Sequence, residues 1–383
     1  MIYFDHAASS FPKPKAVADA MYEAVTQYAA NPGRGGHVLA ERARLAVDEA
    51  RTKLATFFGA PHPKHVWFYQ NATMALNQAL FGFRFAEGDH VVTTAFEHNS
   101  VLRPLERLKR DKGIDVTYVK PNDEGEITAQ ALIEACTAKT KMFAISHASN
   151  VTGAFVQMNQ LASFAKENQI AVLLDASQTA GTLPIDLEND GIDLLAFAGH
   201  KSLLGPQGTG VLISREDYDL LPLVEGGTGS YSELPHQPHI WPDRYEAGTL
   251  NTPGIAGLAA GIEAIIEKGV TSIYEHEQAL LTLFIEETEQ ISGLKHYGPM
   301  DLSKRVAVAS FSLEGIGSHE LAIILDEHYQ IAVRAGLHCA PQTHQVLETS
   351  DSGLVRVSFG PYNTKEEVET LIRALKEIQQ AFG

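Results

Sequence analysis

The chain has 383 residues, enough for a large hydrophobic core and more than one domain. Its 44% hydrophobic and 20% charged content is that of an ordinary globular protein, and a formal net charge of −17 argues against nucleic acid or an anionic membrane as the main partner. Cys136 and Cys339 lie far apart, with no CxxC and no Cys/His ligand spacing, which argues against a disulfide framework or a bound metal and fits a reducing cytoplasm. The opening residues, MIYFDHAASS, lack a signal-peptide pattern, and no apolar stretch reaches the about 18 residues of a membrane span.

Residues 1–14, with Pro12 and Pro14, read as an extended arm leading into a helix over 15–28. The glycine-rich segment 31–40 carries Arg34 and His37 and precedes an amphipathic helix over 40–57. A strand at 65–69 runs straight into a helix opened by Asn71, Ala72 and Thr73. Such a helix start offers free N–H groups to a phosphate, but capping by Asn71 or Thr73 explains it equally simply.

Strands and helices then alternate: strands at 90–96, 115–120, 141–147 and 170–177, helices at 100–112, 128–137 and 159–168. Apolar strands alternating with helices predict a mostly parallel sheet covered on both faces, with ligands collecting beyond the carboxyl ends of its strands. His98, Asn150, Asp175, Gln178, His200 and Lys201 all fall at those ends. A long Gly-, Pro- and His-rich segment, 225–243, precedes a small-residue helix from about Pro253 and a further helix at about 272–291. Strands at 305–313, 331–334 and 354–359 with helices at 319–328 and 365–381 then predict a smaller α+β domain. The expected organisation is an arm over 1–14, a large α/β domain over 15–262 and a small domain over 263–383.

The stretch GIDLLAFAGHKSLLGPQGTGVLI organises this pattern. An apolar run ends at Gly199, His200 and Lys201, and a glycine-rich turn leads into a second apolar run. Lys201 reads either as a surface lysine at a turn or as a partly desolvated amine able to form a Schiff base with a carbonyl cofactor. Asp175, closing another apolar strand, is either a helix cap or a buried carboxylate in need of a cation, such as a protonated pyridine nitrogen. The run GPQGTG precedes a strand instead of opening a helix, which is the wrong geometry for a nucleotide phosphate loop.

Taken together, LDASQ, AGHK, EAGTLNTP and VRAGLHCA give the chain a clear resemblance to class V aminotransferases, pyridoxal-phosphate enzymes of fold type I. Within that family it is most similar to cysteine desulfurases and selenocysteine lyases of the SUF type, and the resemblance spans nearly the whole length. It implies pyridoxal 5′-phosphate bound through Lys201, with Asp175 as partner of the pyridinium nitrogen and Gln178 beside the ring phenolate. His98 matches the histidine stacked on the ring, with a part in catalysis, and Asn150 a residue near the ring hydroxyl and substrate. Ala72, Thr73 and His200 match the phosphate site, and Thr249 a phosphate contact arriving from the second subunit of a homodimer. Arg356 matches the arginine for the substrate carboxylate, and Arg334 and His37 match residues that line the substrate pocket. The chain departs from the family at Ala198 and Ala72, where a hydroxyl residue is common.

Cys339 decides the reaction. A lone cysteine is usually a small buried hydrophobe, which suits Cys136, in a helix. Cys339 instead follows a glycine turn, with Arg334 and His338 close by, and cationic neighbours make a thiol a nucleophile. The resemblance implies a cysteine desulfurase that converts L-cysteine to L-alanine, carries the sulfur on Cys339 as a persulfide and passes it to an acceptor protein, as in iron–sulfur cluster assembly. Transamination, selenocysteine cleavage or racemisation on the same scaffold are the alternatives, and a non-catalytic scaffold the more distant one.

Overall fold

The computed structural model describes residues 1–33 and 36–382. Arg34 lies outside the described residues. The first elements are β1 (Ile2–Tyr3), α1 (Lys15–Gln27), α2 (Val38–Phe57), β2 (Val66–Tyr69), α3 (Ala72–Gly82), β3 (His90–Thr94) and α4 (Asn99–Lys112). There follow β4 (Asp115–Val119), α5 (Ala129–Glu134), β5 (Thr140–Ser146), α6 (Met158–Glu167), β6 (Ala171–Asp175), β7 (Leu194–Ala198) and β8 (Gly210–Ser214). Two long helices come next, α7 (Thr252–Lys268) and α8 (Val270–Thr288). The chain closes with β9 (Leu294–Tyr297), β10 (Val308–Leu313), α9 (Ser318–Tyr329), β11 (Ile331–Ala332), β12 (Arg334–Gly336), α10 (Pro341–Val346), β13 (Leu354–Ser358) and α11 (Lys365–Phe382).

Seven strands form the central sheet in the order β2-β8-β7-β6-β5-β3-β4. β4, β3, β5, β6 and β7 are parallel, and β8 is antiparallel to both its neighbours. The apolar strands are buried on both faces, and their side chains divide with the two-residue period of a strand. Phe143, Ile145, Val172, Leu174, Leu195 and Phe197 enter the core on one face. Met142, Ala144, Ala171, Leu173, Leu194 and Ala196 enter the core on the other. This two-sided burial is why β6, β7 and β8 read as unbroken apolar runs.

A second core belongs to the C-terminal region, where an antiparallel sheet runs β12-β13-β10-β9. The switch between cores falls within α8: Ile273 packs into the first, and Leu280, Leu281, Phe284 and Ile285 into the second. Residues 331–334 do not form one strand as the sequence suggests. Ile331 and Ala332 pair with β1, while Arg334 starts the strand that pairs with β13. β9 and α10 were not legible in the pattern, being too short to show a period.

The N-terminal arm is stitched into this second region. β1 lies parallel to β11, Ser358 N–H donates to the Phe4 carbonyl at 2.8 Å, and Ala7 N–H donates to Ser358 Oγ at 2.9 Å. Phe4 is fully buried, edge-on to Phe359 at 5.3 Å between ring centres. Truncating it empties the seam between arm and small domain. Phe4→Ala should cost about 3–5 kcal/mol in chemical denaturation, in line with other buried Phe truncations.

Candidate active site

The carboxyl ends of β3, β5, β6 and β7 open onto a cavity of ≈ 250 Å³. Its wall brings together Ala72, Thr73, His98, Asn150, Asp175, Gln178, Ala198, His200, Lys201, Arg334, Cys339 and Arg356, residues scattered over most of the sequence. Two expected site residues stand outside it. His37 is exposed and caps α2, its Nδ1 accepting from the Ala40 N–H at 3.3 Å. Thr249 sits on the loop before α7 and lines other clefts of the chain.

Lys201 follows β7 at the first turn beyond the sheet. Among the described residues its Nζ makes no hydrogen bond, and burial, opposed by the nearby Asp175 carboxylate, brings the amine down to about 8. The turn is tight by necessity: a Cβ on Gly199 would fall 2.2 Å from Thr209 Oγ1. Asp175 accepts from the Ser177 N–H at 2.9 Å through one oxygen, and its backbone carbonyl accepts from the His147 N–H at 2.9 Å. The second carboxylate oxygen accepts no hydrogen bond among the described residues.

At the opposite wall, α3 opens on Asn71, whose side chain accepts from the Met74 N–H at 3.0 Å. That capping leaves the N–H groups of Ala72 and Thr73 without an intrahelical partner. Gly210 of β8 lets the strand approach this helix start, since a Cβ there would lie 2.1 Å from the Asn71 carbonyl carbon. Thr73 Oγ1 is 2.8 Å from Ser100 Oγ, which is in turn 2.9 Å from His98 Nδ1. His98 caps α4: its Nδ1 accepts from the Ser100 N–H at 3.1 Å, which places the ring proton on Nε2. Burial, then Lys201, lower His98 to about 4, so the ring is neutral near pH 7. Burial likewise lowers His200 to about 4.

Cys339 reaches the cavity from the small-domain side. His338 and Cys339 have φ of 51° and 58°, two consecutive non-glycine residues in the left-handed region, each a strained position. The strained turn is pinned to the large domain. Asn150 Nδ2 donates to the His338 carbonyl at 2.7 Å, the Asn99 N–H to the Cys339 carbonyl at 2.8 Å, and Thr343 Oγ1 to the Ala95 carbonyl at 3.2 Å. Cys339 is exposed at the rim. His338 is not the cation the sequence suggested beside it, because burial and Arg356 push its pKa far down. Arg334 is the charge that lines the cavity here.

Several contributors escaped sequence reasoning. Glu97 is fully buried and accepts from Thr94 Oγ1 at 2.7 Å, Ser146 N–H at 3.0 Å and Ser146 Oγ at 2.8 Å, its carboxyl pushed up by burial to about 7. Its place beside His98 was the available signal. The arm also grips the peptide that carries Lys201. The Ser10 N–H and Lys13 Nζ donate to the His200 carbonyl at 3.0 and 2.8 Å, and Ser10 Oγ donates to the Lys201 carbonyl at 2.8 Å. No local pattern marks Lys13 for this task.

A half-buried, depressed amine near a buried carboxylate, with open N–H groups at a helix start, is suited to an aromatic aldehyde bearing a phosphate. Ser177 Oγ, Asn150 Oδ1 and His200 Nδ1, on residues that line the same cavity, are buried and without a hydrogen-bond partner among the described residues, polar atoms that such a guest would satisfy. The class of protein is a pyridoxal-phosphate enzyme of fold type I. A class-V aminotransferase family model matches residues 2–371, and the chain belongs to that family. Its relatives narrow the class. A probable cysteine desulfurase of Pyrococcus abyssi is 37% identical over 99% of this chain and 94% of its own. A cysteine desulfurase of Haloferax volcanii is 31% identical over 100% of this chain and 90% of its own. The apo structure of cysteine desulfurase from Thermococcus onnurineus NA1 superposes with a TM-score of 0.93 at 35% identity, covering 99% of this chain and 95% of the other. Cysteine desulfurase CsdA from Escherichia coli superposes at 0.90 with 27% identity, covering 100% and 95%.

Two outcomes follow from the lysine and its clamp. Acetylation of Lys201 in cofactor-free protein, followed by peptide mapping, should rise with a midpoint near pH 8 and not near the ordinary 10.5, because burial disfavours the ammonium. Lys13→Met should raise the dissociation constant for pyridoxal phosphate about tenfold by equilibrium dialysis, the loss of one charge-assisted hydrogen bond, while Lys13→Arg restores it.

Proposed function

We propose that the chain is a cysteine desulfurase that converts L-cysteine to L-alanine and holds the sulfur on Cys339 as a persulfide. The observation that carries this reading is the placement of Cys339, on a strained and pinned turn, at the rim of the cavity that holds Lys201 and Asp175. A transaminase needs no thiol there.

Lys201 would hold pyridoxal phosphate through its amine, with Asp175 at the ring nitrogen, and Gln178, His98 and Asn150 around the ring. Thr73, His200 and the N–H groups of Ala72 and Thr73 would receive the phosphate. When bound, the cofactor supplies an electron-withdrawing ring that stores the electron pair released at the substrate Cα. Arg356 orients the substrate by its carboxylate, as the planar fork of a guanidinium favours. Lys201 Nζ, lowered toward neutrality, takes the Cα proton and later returns one as general acid. Neutral His98 can donate from Nε2 at the cavity wall. Cys339 Sγ attacks the substrate sulfur: the S–S bond forms, the Cβ–S bond breaks, and its electron pair stays with the carbon that becomes the methyl group of alanine.

The same reading makes the chain a homodimer in which Thr249 serves the cavity of the second copy. It also implies a cytoplasmic protein that passes its sulfur to an acceptor protein, as iron–sulfur cluster assembly requires. The exposure of Cys339 supports hand-over to a partner.

Cys339→Ala should keep the yellow cofactor and lose nearly all alanine and sulfide release from L-cysteine. Wild-type turnover by that variant would refute the role given to Cys339. Mass spectrometry of the wild-type protein after exposure to L-cysteine should find the added sulfur on the peptide containing Cys339.

A further inference from the structure

Arg356 lies in the middle of β13 and is 2% exposed, yet it lines the cavity. A guanidinium that deep needs a counter-charge, and among the described residues the small domain does not supply it. The N-terminal arm does. Asp5 Oδ1 accepts from Arg356 Nη2 at 2.6 Å, and the Asp5 side chain keeps 20% of its surface exposed. The position of Asp5 is fixed by backbone on both sides. Asp5 bridges to Ser358, the Phe4 carbonyl accepts from the Ser358 N–H, and the Asp5 carbonyl accepts from the Ala8 and Ser9 N–H groups.

The donors of Arg356 are therefore only partly used. Nη1 donates to the Asn150 carbonyl at 2.9 Å, Nη2 to Asp5, and buried Nε has no partner among the described residues. Three N–H bonds remain, enough for a bidentate carboxylate. A carboxylate seated on them shares the guanidinium with Asp5, a like charge whose backbone is held in place. Asp5 thus fixes the plane of Arg356 and offsets part of its attraction for the second anion.

We propose that Asp5 is the residue that sets the affinity of this site for the substrate α-carboxylate, weakening it so that alanine, which carries the same carboxylate, leaves readily. This rests on the reading that Arg356 receives the substrate carboxylate.

The test uses the cofactor-loaded enzyme and its Asp5→Asn variant, which retains an oxygen acceptor for Nη2 and removes the charge. Equilibrium binding of L-alanine, followed by the cofactor absorbance, should tighten about threefold to tenfold, the span that a like charge about 4 Å away predicts when it is screened as in water. KM for L-cysteine should fall with it, and kcat should not rise. L-alaninamide, which lacks the negative charge, should bind both proteins equally. Unchanged or weaker alanine binding in the folded variant would overturn the proposal, and so would an equal gain for alaninamide. Asp5→Ser serves as a second neutral variant should the first misfold. In the wild-type enzyme, where folding is not in question, the preference for L-alanine over L-alaninamide should stay below about tenfold, and a much larger one would also overturn it. A wild-type protein that yields no alanine from cysteine would instead refute the desulfurase reading, leaving the alanine-binding comparison to judge Asp5.

Discussion

An ammonium group is costly to hold in a protein interior, and the cavity of this chain is built around one that has been placed there. Lys201 is delivered to the end of β7 by an apolar strand whose two faces are both buried, so the sheet holds the peptide that carries it while the half-buried side chain lines the cavity. The result is an amine titrating near neutrality opposite a carboxylate, the combination a carbonyl cofactor requires. Asp175, His98 and the helix start at Ala72 are arranged at the same sheet edge because parallel strands all end on one side.

The second constraint is that the cavity is lined from both cores. Cys339, Arg334 and Arg356 come from the small domain, Lys201 and Asp175 from the large one. Two devices keep them together. The loop at Cys339 is tied to Asn99, Asn150 and Ala95, and the N-terminal arm joins β13 at one end and the His200–Lys201 peptide at the other. The arm is therefore a structural part of the site and not a leader to the fold. Its burial of Phe4 anchors it, its Asp5 balances Arg356, and its Ser10 and Lys13 hold the peptide carrying the lysine.

Charge is distributed so that neither sign accumulates. Lys201, Arg334 and Arg356 face Asp175 and Asp5, while His98, His200 and His338 are kept neutral by burial. Neutral imidazoles beside a depressed amine leave Lys201, brought down to about 8, and Glu97, pushed up to about 7, as the groups that change protonation just around neutral pH. That arrangement suits a site where one lysine both carries a proton away and brings one back.

Much of this was written locally. Apolar runs in two-residue register, bounded by glycine and proline, determined the alternation of the large domain, because strands buried on both faces admit little else. Polar residues at the ends of those runs were recognisable one by one, and Lys201, Asp175, His98 and Asn150 do share a cavity. What tertiary structure decided was every relation across long sequence separation. Asp5 meets Arg356 and Lys13 meets His200 only because β1 adds to β11, a pairing of two residues too short to leave a period. The left-handed turn at His338 and Cys339 is set by anchors on two distant segments, the 95–99 loop and Asn150, and the burial that silences the histidines exists only once both cores have closed. Local pattern specifies which face of a segment is apolar; which charges end up in contact depends on where the folded chain removes water from between them.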